Sequence, residues 1–254
     1  KRQIDHAYDA YVRPSGDTKE LGKQVYSGFV PTSELVDSYE MAGDGGNFSW
    51  EKHGKDPYAN REPRFYATIL YNGADWMGRK IESFVGGKDG YKAYENAGAA
   101  GTTVTGYYLR KYLIDGDKTW VTSGSGQDWI VLRYAEVLLN KAEALAMENW
   151  NKNSAEALQA LNDVRARVGL PARATADKET FLEYVRHERK VELAGEGFRY
   201  WDLRRWRLAE KVIDGQNVHG VKISKQSDGS FTYEQVDADG GHKRIFYDLS
   251  LIHI

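Results

Sequence analysis

The run from His187 to Trp206, HERKVELAGEGFRYWDLRRW, constrains the fold more than any other part of the chain. Glu188, Glu192 and Glu196 recur every four residues with Arg189 beside them. On a helix they share one face and can pair with bases along it. Gly195 and Gly197 then stop that helix, since glycine costs about 1 kcal/mol against alanine in a helix interior. Phe198, Trp201, Leu203 and Trp206 begin a second helix, whose aromatic face is expected to be buried.

Upstream of this run the hydrophobic period is helical. In Trp129–Ala146, a stripe of Ile130, Tyr134, Val137, Leu138, Lys141 and Leu145 alternates with Ala135, Ala142 and Ala146, small residues that let a second helix approach closely. The next helix is predicted over about Ser154–Val168, with Ser154 as its cap, apolar Ala157, Leu158, Leu161, Val164 and Val168, and a Gly169-Leu170-Pro171 stop. Two such helices joined by a short polar turn make a tetratricopeptide-like hairpin. A third helix, about Asp177–Leu193, starts at a Thr175 or Asp177 cap and carries Phe181, Leu182, Val185 and Val191.

The first hundred or so residues are glycine-rich and irregular, with a helix expected only over Thr32–Met41. Phe65–Tyr71 reads as a strand ending at the Asn72-Gly73 turn signal, with Trp76–Phe84 as its return. Asn96–Gly106 reads as an exposed loop, Gly106–Ile114 as a short strand, and Val218–Tyr233 as a β-hairpin turning at Ser227-Asp228-Gly229. The fold class is therefore mainly α, with helical hairpins, long loops and small β-hairpins.

Composition narrows the chemistry. A net charge of −2 gives no reason to expect nucleic acid or an anionic membrane surface. With no cysteine, disulfides and thiolate metal sites are excluded, and the six histidines show no HxH or HExxH spacing. Neither a phosphate-binding glycine motif nor a nucleophile elbow is present. Asp115-Gly116-Asp117 and Asp237-Ala238-Asp239-Gly240 are acidic turns without the full twelve-residue calcium loop. Glu188, Glu192 and Glu196 have the look of glycosidase carboxylates, but Arg186, Arg189, Lys190, Arg199, Arg204 and Arg205 surround them. Arginine depresses a carboxyl pKa, the wrong direction for a general acid, so an ion-pair network is expected.

Several segments carry a family resemblance. Pro31–Met41 (PTSELVDSYEM), Arg61–Arg79 (REPRFYATILYNGADWMGR), Gly106–Tyr112 (GYYLRKY), Trp129–Ala146, Ala155–Pro171 (AEALQALNDVRARVGLP) and the run from His187 resemble, in order, motifs of the SusD/RagB family. These are outer-membrane nutrient-binding lipoproteins of Bacteroidetes. The resemblance implies the carboxy-terminal half of a SusD-like α superhelix, facing outward from the outer membrane, that binds oligo- or polysaccharides and delivers them to a SusC-like TonB-dependent porin without catalysis. It implies no cofactor and a lipid anchor in an amino-terminal part outside this sequence; some relatives hold a structural calcium, while the two acidic turns here read first as solvated turns. The expected division is a family region 1–248, loop-rich over about 1–127, helical over about 128–214, with a terminal hairpin and loops over 215–248. Leu249–Ile254, LSLIHI, reads as a translated sequencing adapter and is expected to pack nowhere.

Sugar recognition needs flat apolar faces edged by hydrogen-bonding groups. The candidates are Trp50, Tyr58, Trp76 and Trp120, each placed in or beside a loop, with Asn72, Asp75 and Arg79 near Trp76, and Asn47, Glu51 and His53 near Trp50. The ligand-binding expectation rests on Trp50, Tyr58, Trp76, Asn72 and Asp75. Trp129, Trp201 and Trp206 are expected in the core. The rival readings are a helical interaction scaffold, a family member that takes peptides, and a glycan-active enzyme. The scaffold is separated from sugar binding by whether Trp50, Tyr58 and Trp76 share an exposed surface.

Overall fold

In a computed structural model of the chain, residues 8–22, 24–43, 45–90, 102–238 and 243–244 are described. Leu249–Ile254, Asp239 and most of the 96–106 loop lie outside them. In chain order the elements are α1 (Tyr8–Val12), α2 (Asp17–Leu21), α3 (Ser33–Val36), α4 (Trp50–His53), α5 (Pro63–Thr68), β1 (Ile69–Leu70), β2 (Asp75–Trp76), β3 (Arg79–Lys80) and β4 (Tyr108–Leu109). They continue with α6 (Trp120–Ser123), α7 (Tyr134–Ala166), α8 (Lys178–Glu192), α9 (Phe198–Arg205), α10 (Ala209–Ile213), β5 (His219–Lys225) and β6 (Phe231–Asp237). The protein is mainly helical with small two-stranded sheets, as the sequence predicts. Packing cuts across the linear order, however. Of the described residues, one compact unit joins those of 37–67 to those of 129–199, and the other joins those of 8–36, 68–128 and 200–244.

The helical unit is built around α7 and α8. α7 is two helices meeting at Asn149, whose φ of −161° and ψ of 94° break the helix. The Asn149 carboxamide oxygen accepts the Lys152 N–H, so this residue, and not Ser154, caps the second half. Lys141 pairs with Glu156 across the break, which only antiparallel halves permit. Leu139, Ala142 and Ala146 of the first half meet Ala157, Ala160, Leu161 and Val164 of the second, with Phe181, Leu182 and Val185 of α8 closing the core. The expected cap of α8 is confirmed at Asp177, whose carboxylate accepts the Thr180 N–H at 2.7 Å.

The predicted stripe is split: Leu138 and Leu145 pack against this core, as expected, while its other apolar members face outward. Ile130, Tyr134 and Val137 are exposed, and Trp129, Val131 and Leu132 extend the same apolar surface ahead of the helix. The small alanines decide which face is buried, because only they allow the halves to come close. Both faces of the helix carry apolar residues, so bulk alone does not separate Leu138 and Leu145, which pack inward, from Tyr134 and Val137, which do not.

The other unit is held by loops and short pairings. Pro63 stands at the first position of α5, so the expected strand Phe65–Tyr71 begins as helix and reduces to β1, which pairs with β4 instead of a following strand. β2 and β3 form a tight hairpin across Met77 and Gly78, both at positive φ (53° and 75°), as the favoured two-residue turn requires. β5 and β6 pair over their full length from His219↔Asp237 to Lys225↔Phe231, a longer hairpin than expected. Gly220 lies where a Cβ would meet the Thr105 Cα at 2.6 Å, and the Val221 N–H donates to the Thr105 carbonyl beside it. Leu70, Ala74, Trp76, Ile81 and Tyr108 form one core of this unit; Ala10, Val25 and Trp120 form another. The helix expected over Thr32–Met41 shrinks to α3.

The exposed strip at Trp129–Val137 exceeds the scattered apolar residues normal for a surface. The chain by itself is expected to self-associate through it. Val131→Ser with Leu132→Ser should shift sedimentation toward monomer while leaving the thermal midpoint near that of the parent. A parent chain that runs as a monomer with a sharp cooperative melt contradicts this.

Candidate functional site

Charged side chains fill much of the helical unit's interior. Arg165 on α7 is buried and donates from Nη1 and Nη2 to the two Glu40 oxygens at 2.9 Å, and from Nη1 to Glu188 at 3.0 Å. Arg64 bonds Glu62 at 2.6 Å, Glu192 at 3.0 Å and also Glu188. Arg133 clamps Glu196 through two bonds of 2.8 and 2.7 Å and also reaches Glu192, which Arg167 meets from the surface. Arg173 adds a further bond to Glu40. The four-residue spacing of Glu188, Glu192 and Glu196 thus aligns three buried acids with arginines from three other segments.

Burial raises the Glu192 pKa, but hydrogen bonds and charge from Arg133, with the charges of Arg64 and Arg167, outweigh it and hold the carboxyl at about 2. Glu40 is also held well below the carboxylate range: Arg165 and His187 hydrogen bonds and the Arg165 and Arg173 charges overcome its burial. Glu62, which sequence reasoning missed, is raised by burial that Arg64 only partly offsets. No solvent reaches it. The buried acids are enclosed by protein and form an ion-pair framework, with no open cleft between them of the kind a glycosidase pair needs.

The expected sugar contacts are placed as follows. Trp76 is only 1% exposed; its indole N–H donates to Asp17 at 3.0 Å, and the Arg13 guanidinium lies 5.4 Å from its ring and 5.1 Å from that of Trp120, also 1% exposed. Arg79 donates to Asp17 at 2.8 Å and to Asp89 at 2.7 Å. This motif is therefore framework, and neither indole offers a face to a ligand. Tyr58 is 6% exposed and stacks on Phe65. Trp50 is half-buried, edge-on to Phe48, with its N–H on Asp37 at 2.8 Å. Asn72 is buried beside the turn, whereas Asp75 is exposed and pairs with Lys80. Trp50, Tyr58 and Trp76 do not share an exposed surface, because two of the three rings are interior.

The converse also holds. Trp201 is 66% exposed and Trp129 is 50% exposed, against their expected place in the core; Trp206 is half-buried. On α9 it is Leu203 and Asp202 that turn inward. Tyr11, Tyr26 and Phe29 are exposed aromatics that sequence reasoning missed. Their one signal is the alternation of Val25, Tyr26 and Ser27, small or apolar residues flanking a ring.

The acidic turns are already engaged. Asp115 accepts the Met77 N–H and meets Arg110, while Asp117 caps Thr119 through its N–H and hydroxyl. Among the described residues no cluster of three or more His, Asp or Glu side chains is suited to a metal, and Asp239 of the second turn lies outside them.

Removing Arg165 leaves Glu40 and Glu188 short of a buried partner. Arg165→Met is expected to cost about 3–5 kcal/mol by urea unfolding, and Arg165→Lys to recover only part of it, because lysine cannot form the bidentate pair. A loss below about 1 kcal/mol contradicts the network's role. The Glu192 carboxyl sits below the ordinary glutamate value of 4.5 in the folded chain. Its contribution is therefore complete above about pH 5 and is lost as pH falls toward 2. Stability should drop over that window, and Glu192→Gln should flatten the drop while lowering stability at pH 7; parallel profiles contradict it.

These features match known proteins. The SusD family's sequence profile matches residues 2–246. A crystallised SusD-like protein of Bacteroides fragilis is 27% identical with a TM-score of 0.73, over 94% of this chain and 48% of that one. A SusD-like carbohydrate-binding protein of the same species is 33% identical with a TM-score of 0.61, over 75% of this chain and 37% of that one. SusD-like protein P38 of Formosa agariphila is 32% identical over 133 residues, 48% of this chain and 25% of its own length. The chain spans about half the length of the first of these structures and less of the other two. With the profile covering nearly every residue and the helical hairpin superimposing on crystallised members, the chain belongs to the SusD family.

Proposed function

We propose that this protein binds oligo- or polysaccharides at the cell surface without cleaving them and delivers them to a SusC-like TonB-dependent porin in the outer membrane. The observation that carries the reading is the match to a SusD-like carbohydrate-binding protein at 33% identity, over three quarters of this chain. The Glu40 and Glu192 carboxyls, held below the ordinary range by neighbouring arginines, are shifted in the wrong direction for a general acid, which supports binding over hydrolysis. No cofactor enters this reading. Among the described residues no helix is long and apolar enough to cross a membrane, and attachment would come from a lipid anchor outside the present sequence. Among the expected contacts, Trp50 and Asp75 retain exposed atoms and are each proposed as a ligand contact within its own unit, while Tyr58, Trp76 and Asn72 are buried.

Polymers are held through several weak subsites acting together, so avidity exceeds any single contact. A second reading, a helical scaffold for a protein or peptide, is favoured by one observation, the exposed apolar strip at Trp129–Val137. Native affinity electrophoresis in gels containing starch, laminarin, xylan, galactan or mannan separates the two. The proposed function predicts retarded migration in at least one polysaccharide and no new reducing ends after prolonged incubation. Uniform migration in all of them, with binding to peptides instead, favours the scaffold; released reducing ends overturn the claim of binding without cleavage.

A further inference from the structure

α1 is a single turn of helix, and its last carbonyls need partners from outside it. The segment after α2 supplies them. The Tyr26 N–H donates to the Ala10 carbonyl at 2.6 Å, the Phe29 N–H to the Tyr11 carbonyl at 3.0 Å, and the Ser27 hydroxyl to the Arg13 carbonyl at 2.8 Å. Ser27 adopts a left-handed φ of 47°, which turns the chain between the two backbone contacts. Inward lie Ala10, Val12, Val25 and Ser27, over the core that includes Trp120. Outward lie Tyr11, Tyr26 and Phe29, at 50%, 46% and 56% exposure.

The outward rings are ordered. Tyr11 and Tyr26 stack with centroids 5.2 Å apart and planes 28° from parallel. Half exposure of each is what remains when rings shield one another's inner faces and leave the outer faces to water. Neither phenol is hydrogen-bonded among the described residues, so both hydroxyls stay available as donors and acceptors at the rim. Keeping three aromatic rings in water forgoes the gain of burying them, and here backbone bonds hold them outward in a fixed arrangement.

We infer that Tyr11, Tyr26 and Phe29 form a stacking subsite for an oligosaccharide of gluco-configured pyranoses. Such rings carry their hydroxyls equatorially, so each face is a patch of C–H groups that an aromatic ring covers, while tyrosine hydroxyls bond the equatorial rim. The three exposed side chains that this arrangement presents are two phenols and a phenyl ring, which suit a flat ligand edged by hydroxyls better than a protein helix with its branched apolar side chains. Because the rings are fixed before binding, little side-chain entropy is lost when a sugar lands. The inference rests on the proposed glycan binding and adds the site and the sugar class.

The test is calorimetric titration of the full chain with cellohexaose, laminarihexaose and maltohexaose, paired with saturation-transfer NMR on the sugar. At least one hexasaccharide is expected to bind, with saturation strongest at the C–H protons of one pyranose face. Tyr11→Ala with Tyr26→Ala should weaken that binding about tenfold or more and abolish the face selectivity, while Tyr26→Phe, which keeps the ring, stays within about threefold of the parent. Thermal midpoints matching the parent show that the fold is retained. A parent that binds a hexasaccharide equally well with and without the rings overturns the subsite and leaves glycan binding standing. A parent that binds none of the three overturns the inference, and the polysaccharide gels then decide whether glycan binding falls with it. Sedimentation showing that the rings hold two copies of the chain together, with no effect of sugar, also overturns it.

Discussion

Arginine buried against glutamate is the constraint on which the helical unit depends. Glu40 and Arg165 lie 125 residues apart, and Arg64 and Glu192 lie 128 apart, yet each pair is in direct contact. Taking such charges out of water costs several kcal/mol per ion, so the arrangement is tolerable only when every partner arrives. That demand makes the network a device for register more than for raw stability. A slip of α8 by one residue would turn Glu188 and Glu192 away from their arginines together. In the other unit Arg13, lying against two indoles and bonded to Asp9, performs the same service for the loops around it.

This use of charge decides where function can reside. The acids that most resemble catalytic groups are spent on holding segments together, and the aromatic residues of the most distinctive loop motif are spent on the core beneath it. On the proposed reading, recognition by this chain uses what remains outside, including rings held outward by backbone hydrogen bonds and the apolar strip that precedes α7. These surfaces differ in kind. One presents two tyrosines and a phenylalanine, rings with phenolic edges that suit sugar faces, and the other mixes valine, leucine and isoleucine with aromatics, as protein contacts do.

Element type was legible in the sequence where a local signal had no rival. The Asp177 cap and the Phe181, Leu182, Val185 period mark α8 to within a residue, and the β5–β6 hairpin follows from its Asp228-Gly229 turn. Facing was much less legible. On α7 the bulky residues Tyr134 and Val137 point outward because Ala142 and Ala146 are what the antiparallel half can approach. Trp76 and Trp120 sit in short elements, β2 and α6, set among loops, yet in this unit such segments make the core, so a place beside a loop does not mean exposure. Trp201, on a helix, is exposed for the complementary reason that Leu203 and Asp202 take the inward positions. The expectation of arginine around the acids, by contrast, follows from composition alone and survives because like charges cannot be buried together unneutralised.

Hydrogen–deuterium exchange with and without a bound hexasaccharide tests the central claim most directly, since it asks where on this fold a sugar is felt. The account predicts slowed exchange in the backbone amides of 24–29 and little change across Glu188–Glu196. Protection centred on Glu188–Glu196, with the aromatic surface unaffected, would contradict the division between a buried charge framework and an aromatic surface that binds.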